Sequence, residues 1–171
     1  MVTFTELETA APSIAGFFRQ RIEATGLSFV ATTRADGSPR VSAWEAFLCD
    51  GRLYMGSMPD AVKVKDLRRD PRCCVITPLA DKDDLDGEAK LFCRAREIDD
   101  VDEWERVRKA FIDLRDFDMG EIGGGHLFTY DIDGAAFQRV VDDDWRTTSW
   151  SATGGMRERS RSGPLGESID L

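Results

Sequence analysis

A small hydroxyl residue and two lysines stand close together where the chain passes from an extended stretch into a helix. Gly56-Ser57-Met58-Pro59 closes a β-rich segment, and Lys63 and Lys65 follow in the first turns of a helical pattern. Backbone N–H groups at a helix start, a hydroxyl and an ammonium group together can hold an anion. Gly56 lets a ligand come close to the backbone. Taken alone, the same residues also describe a solvated helix face with two ordinary lysines, which is the commoner case.

The other chemistry-bearing residues form weaker patterns. His126 is the single histidine and has no Ser or Cys partner at informative spacing, so no catalytic triad is read from it. Gly123-Gly124-Gly125 follows no strand and opens no helix, which makes it a poor phosphate loop. Cys49, Cys73, Cys74 and Cys93 form no CxxC pair, and with one histidine no zinc site is expected; the thiols read as reduced and partly buried. The carboxylates of 81–86 and 99–103 lack the alternating pattern of a calcium loop and read as solvated. No metal site is expected. The run from Asp66 to Pro71 reads as helix-end chemistry, with cations near the C-terminus and then a stop. Trp145 and Trp150 suit core or dimer packing as well as they suit an aromatic wall for a planar ligand.

Elements must position these groups, and the chain is long enough to bury a core. It has 171 residues, 42% hydrophobic and 32% charged, an ordinary globular balance. A net charge of -9 argues against a general nucleic-acid binder, although 63–72 is locally basic. No basic leader precedes an apolar run and no segment is long and apolar enough to span a bilayer, so a cytoplasmic protein without a membrane partner is expected. Residues 3–23 read as helical, with Thr5 and Glu8 resembling a capping box and Pro12 opening the main helix. Strands at 28–33, 39–49 and 52–57 are joined by Asp-Gly turns at 36–37 and 50–51. A helix opens at 59 or 60 and ends at 69, and a strand follows at 72–77. An acidic loop at 80–87 leads to a strand at 89–98. The helix of 99–115 carries the stripe Val101, Trp104, Val107, Ala110, Phe111 and Leu114. Strands at 126–131 and 135–141, or one bent strand, precede a last strand at 145–151. The expected fold is mainly β (α+β): one domain over 1–152, a six- to seven-stranded antiparallel barrel with flanking helices, and a flexible tail over 153–171.

Four ordered blocks carry a family likeness. Ala31-Thr-Thr-Arg-Ala-Asp-Gly-Ser-Pro-Arg-Val-Ser42, Asp50-Gly-Arg-Leu-Tyr54, Ala61-Val-Lys-Val-Lys-Asp-Leu-Arg-Arg-Asp-Pro-Arg72 and Asp86-Gly-Glu-Ala-Lys-Leu-Phe-Cys-Arg-Ala95, with Ser149-Trp150 at the end, resemble the pyridoxamine 5′-phosphate oxidase-like family of split β-barrels. That family includes FMN-binding proteins and reductases that use the deazaflavin F420. The resemblance spans roughly residues 1–155. It implies a homodimer with FMN, or alternatively F420, bound at the subunit interface. It implies that Lys63 contacts the cofactor phosphate, with Lys65 in support, and that Ser57 meets the phosphate or ribityl chain beside Gly56 and Met58. It further implies that Arg40 lies under the cofactor, that Ser42, Ala43, Trp44 and Glu45 pass the ring, that Glu88 lies near it, and that Trp150 flanks it from the other subunit.

The chain also departs from the oxidases that name the family. Glu45 stands where they carry a lysine, Ser57-Met58 stands where they carry a hydroxyl and an Asn, and no Arg-Leu-Ala-Pro-like segment closes the chain. The resemblance therefore implies an oxidoreductase acting on another small organic substrate, with no catalytic acid or base assigned. The alternatives are a carrier or sensor of flavin, F420 or haem, and a structural dimer that has lost its cofactor.

Overall fold

The computed structural model describes residues 1–79, 87–163 and 165–171. Its elements run α1 (Phe4–Ala10), α2 (Pro12–Thr25), β1 (Leu27–Thr33), β2 (Pro39–Cys49), β3 (Arg52–Ser57), α3 (Val62–Arg69), β4 (Arg72–Ile76), β5 (Glu88–Glu97), α4 (Val101–Arg115), β6 (His126–Val141), β7 (Asp144–Ser151), β8 (Gly155–Ser162) and β9 (Ser168–Asp170). The acidic loop expected at 80–87 lies, but for Gly87, outside the described residues.

Six strands close on themselves in the order β3-β2-β1-β4-β5-β6, with β6 returning to pair with β3. Every pairing is antiparallel, and closure leaves no open edge in the barrel. This is the expected split barrel. β6 is one long strand: its first half closes the barrel against β3, and its second half carries β7, β8 and β9 outward. The segment 153–171, expected to be loose, instead forms β8 and β9, so three further strands extend the six-stranded barrel. Its Gly-, Ser- and Arg-rich composition hid a strand whose partner, β7, supplies the pairing.

The first helical stretch is two helices. The capping box forms two residues earlier than expected, between Thr3 and Glu6, and Pro12 divides α1 from α2 at Ala11. Phe4, Leu7, Ile14, Phe18 and Ile22 then belong to one core with Val30, Leu53, Met55, Val75, Leu91 and Tyr130 of the barrel strands. A second cluster joins Trp104, Val107 and Phe111 of α4 to Phe47, Tyr54 and Leu127, which places α4 on the barrel beside the β3–β6 seam. Val101 and Leu114, expected in the α4 stripe, are exposed. No described helix is long and apolar enough to cross a membrane.

Candidate functional site

A buried carboxylate ties α3 to the barrel, beside the core packing of Val64 and Leu67 and the Arg68–Glu97 pair. Asp66 is buried and accepts from Arg40 Nε of β2 at 2.7 Å and from Thr32 Oγ1 of β1 at 3.1 Å; Arg69 approaches at 3.5 Å. Burial pushes the Asp66 carboxyl up, but the Arg40 and Thr32 hydrogen bonds and the arginine charges outweigh it and hold it below the usual range. Arg40, expected under a cofactor, is thus committed to Asp66 through Nε.

That anchorage presents Lys63 from the first turn of α3. Its Nζ lies 4.4 Å from the centre of the Trp44 ring and donates to Ala43 O at 3.3 Å. Among the described residues no carboxylate pairs with it. Half-burial without a counter-ion pushes its pKa down. An ammonium placed this way favours an anion as its missing partner. Ala61 caps α3 without a side-chain hydrogen bond, so no side chain competes for the helix start. Lys65 is exposed.

Alternation along β2 divides the expected ring-side residues. Arg40, Ser42 and Trp44 share one face, and Ala43 and Glu45 the other. Trp44 is buried beneath Lys63, and its indole N–H donates to Gly56 O, which ties β2 to the end of β3. Glu45 lies 3.0 Å from Arg115 Nε of α4, close enough for an ion pair but not aligned as a hydrogen bond.

Beyond Gly56 the wall opens into a cavity of about 280 Å³. Gly56 and Ser57 line it from β3, Met58 and Pro59 from the turn that follows, Trp104 and Phe111 from α4, Phe117, Met119, Gly124 and Gly125 from the connection into β6, and His126 from the start of β6; Glu45 of β2 also lines it. Ser57 Oγ is buried without a hydrogen-bond partner. A Cβ at Gly125 would sit 3.0 Å from Ser57 O, so glycine there lets the strands approach. The volume is at or below the small end for a ligand pocket. It suits a small molecule or part of a ring system, with a longer ligand extending past Gly56.

Glu88 and Trp150 are not brought to this place. Glu88 begins β5 and pairs with Lys90 at 2.5 Å, whereas the opposite end of β5, Glu97, faces the cavity side. Nine residue steps along the strand separate the two, on the order of 30 Å. Trp150 is buried in the main core opposite Ala135.

His126, Glu97 and Arg68 were absent from the expected set. His126 stands opposite Ser57 in the β3–β6 register. Its Nδ1 lies 2.8 Å from Glu97 Oε1, and Glu97 takes both Arg68 Nε and an Arg68 terminal nitrogen at 2.7 Å. Arg68 is the main reason that Glu97 is held below the usual carboxylate range, against its burial. Only the non-local seam brings His126 to Ser57, and no spacing in the sequence signals it.

The sequence profile of the pyridoxamine 5′-phosphate oxidase family matches residues 14–139. No curated protein matches the sequence. Among solved structures, ChuZ of Campylobacter jejuni superposes with a TM-score of 0.70 at 10% identity, over 91% of this chain and 65% of that one. A haem-binding protein from Mycobacterium smegmatis gives 0.57 at 20% identity, over 86% and 57%. A Clostridium acetobutylicum protein related to general stress protein 26 of B. subtilis, of the pyridoxinephosphate oxidase family, gives 0.56 at 13%, over 78% and 90%. At these identities the likeness is one of fold.

Proposed function

The chain belongs to the pyridoxamine 5′-phosphate oxidase family, and from that premise we propose that it is a flavin-binding oxidoreductase, using FMN or alternatively F420 on a small organic substrate. The observation that carries the reading is Lys63, a half-buried ammonium on an anchored helix with no carboxylate partner among the described residues. The unpartnered Ser57 Oγ and the uncapped start of α3 support a phosphate group beside it. Bound there, the cofactor would supply hydride transfer. The chain's part is to hold the phosphate with Lys63 and Ser57, to set Trp44 beneath it, and to shape the apolar cavity for substrate. Arg115 draws the Glu45 carboxylate aside, so that it is not a bare negative charge against a reduced ring.

A homodimer fits the outer barrel surface. Val41, Ala31, Cys74 and Phe92 form a row across β2, β1, β4 and β5, with Ala43, Phe29 and Ile76 in the next row. Val41 is 65% exposed, Phe92 46% and Phe29 38%, an apolar band suited to a second copy. Ala43 belongs to this band and touches Lys63, so a partner covering it would close over the phosphate site.

Titration of FMN and of F420 into the purified protein, followed by fluorescence, tests this reading. Micromolar binding of either is expected, and Lys63→Ala should weaken it about ten- to a hundredfold, as loss of a charge-assisted contact would. Unchanged affinity in the variant removes Lys63 as the anchor. No binding of either cofactor, or a Soret band in the purified protein, overturns the flavin reading.

A further inference from the structure

The connection into β6 places the chain's single histidine against the cavity in a defined state. His126 Nδ1 has two neighbours, Glu97 Oε1 at 2.8 Å and an Arg68 nitrogen at 3.3 Å. The carboxylate contact is the shorter and joins a donor to an anion, so the Nδ1 proton goes to Glu97. Glu97 is itself gripped by Arg68 through two 2.7 Å bonds, which leaves it little freedom to release the ring. Nε2 is then a bare acceptor, and it has no partner among the described residues.

The rest of the cavity gives that acceptor a setting. Ser57, opposite His126 in register, contributes a second buried polar atom without a partner. Trp104, Phe111, Phe117 and Met119 supply an apolar wall. With Ser57 Oγ given to the phosphate when a cofactor is bound, the His126 acceptor in a small apolar pocket reads a small ligand that is apolar over most of its surface and polar at one point.

We propose that this cavity binds a small aromatic molecule carrying a hydroxyl or ring N–H group, which donates to His126 Nε2 beside Ser57 Oγ. The assignment deepens the proposed function by naming the substrate class, and rests on it only in calling the ligand a substrate. Glu97 is a positioning residue, because it acts through the imidazole. The charged groups facing His126 are Glu97 of β5 and Arg68 of α3, and the Glu45–Arg115 pair of β2 and α4 lies at the cavity edge.

Phenol and toluene are suitable probes, added to the full chain without cofactor. With one histidine, long-range ¹H–¹⁵N spectra show a single imidazole. The free protein should show protonated Nδ1 and bare Nε2. Phenol should shift Nε2 saturably and bind about tenfold more tightly than toluene. His126→Phe keeps the ring and should abolish that preference; Glu97→Gln should release the tautomer and reduce the preference severalfold. Equal affinities for phenol and toluene in the wild type, an Nε2 signal that phenol does not move, or a preference retained in His126→Phe overturns the proposal. Should His126→Phe not fold, the tautomer and the Nε2 shift of the wild type decide alone. Lys63→Ala should leave phenol binding intact, and failure of the wild type to bind FMN or F420 while it still binds phenol counts against the cofactor reading and not against this one.

Discussion

Replacing Asp66 with alanine should cost about 3 kcal/mol of stability, a value that follows from its surroundings. The carboxylate is 3% exposed and serves three donors. Breaking a buried pair typically costs 3–5 kcal/mol, because one charge stays behind. Here the Arg40 side chain is 24% exposed and can partly rehydrate, which favours the low end. Arg69, 40% exposed and 3.5 Å away, contributes little. Thr32, buried under the helix, loses its acceptor outright. With a urea m-value of about 2 kcal/mol/M, the midpoint should fall by about 1.5 M. Asp66→Asn should lose less, since an amide oxygen can still accept from Thr32. The folded-state pKa of Asp66 is depressed, so its contribution is present above the unfolded value of about 3.9 and disappears as pH falls through the lower folded value. Wild type should therefore lose more stability than Asp66→Asn across that acidic window. FMN affinity should fall with stability in Asp66→Ala, whereas Lys63→Ala should lose affinity at an unchanged midpoint. A midpoint for Asp66→Ala within about 0.25 M of wild type would refute the view that this carboxylate anchors α3.

Ser57→Ala removes a buried hydroxyl that has no partner, so the ligand-free protein should gain about 1 kcal/mol in urea while FMN binding weakens; a loss of stability would contradict the account. Gly26 caps α2 at φ 67°, and a Cβ there would meet Arg115 Nη2 at 2.7 Å. Gly26→Ala should cost about 1–2 kcal/mol by denaturation, and additive losses in the Gly26→Ala/Arg115→Ala double variant would exclude the close approach as a cause. Burial pushes the Cys73 thiol up to about 12 and raises the Cys93 thiol as well, so Ellman's reagent at pH 8 should spare both until the protein is unfolded. Rapid native labelling of either, located by mass spectrometry, would count against their burial.

The local parts of this fold were legible because local chemistry sets them. Asp-Gly turns fixed the hairpins of β1, β2 and β3, and Asp70-Pro71 fixed the end of α3. Both Thr3-x-x-Glu6 and Thr5-x-x-Glu8 have the spacing of a capping box; the first forms because it sends Phe4 and Leu7 into the core. Closure of β3 on β6 links residues some seventy positions apart, and no period in either segment encodes it. The site divided along the same line. Lys63 and Ser57 lie within one strand–turn–helix and could be read together. Arg40 looked available because its partner, Asp66, read only as part of a helix end. His126 became part of the cavity through the seam, and Glu97 became its partner through β5.

The β3–β6 seam has a consequence for how the barrel breathes. It runs for only four rungs, from Tyr54–Thr129 to Ser57–His126, whereas β5 and β6 pair along most of their length. Local opening begins at the free end of a ladder. The terminal rung here is Ser57 with His126, next to three consecutive glycines. Amide hydrogen exchange should therefore be faster at 56–57 and 126–127 than at 53–55 and 128–130. Fraying of that one rung would widen the cavity mouth without disturbing the hydrophobic interior, which makes the zipper end of the barrel the expected entry route for a small molecule.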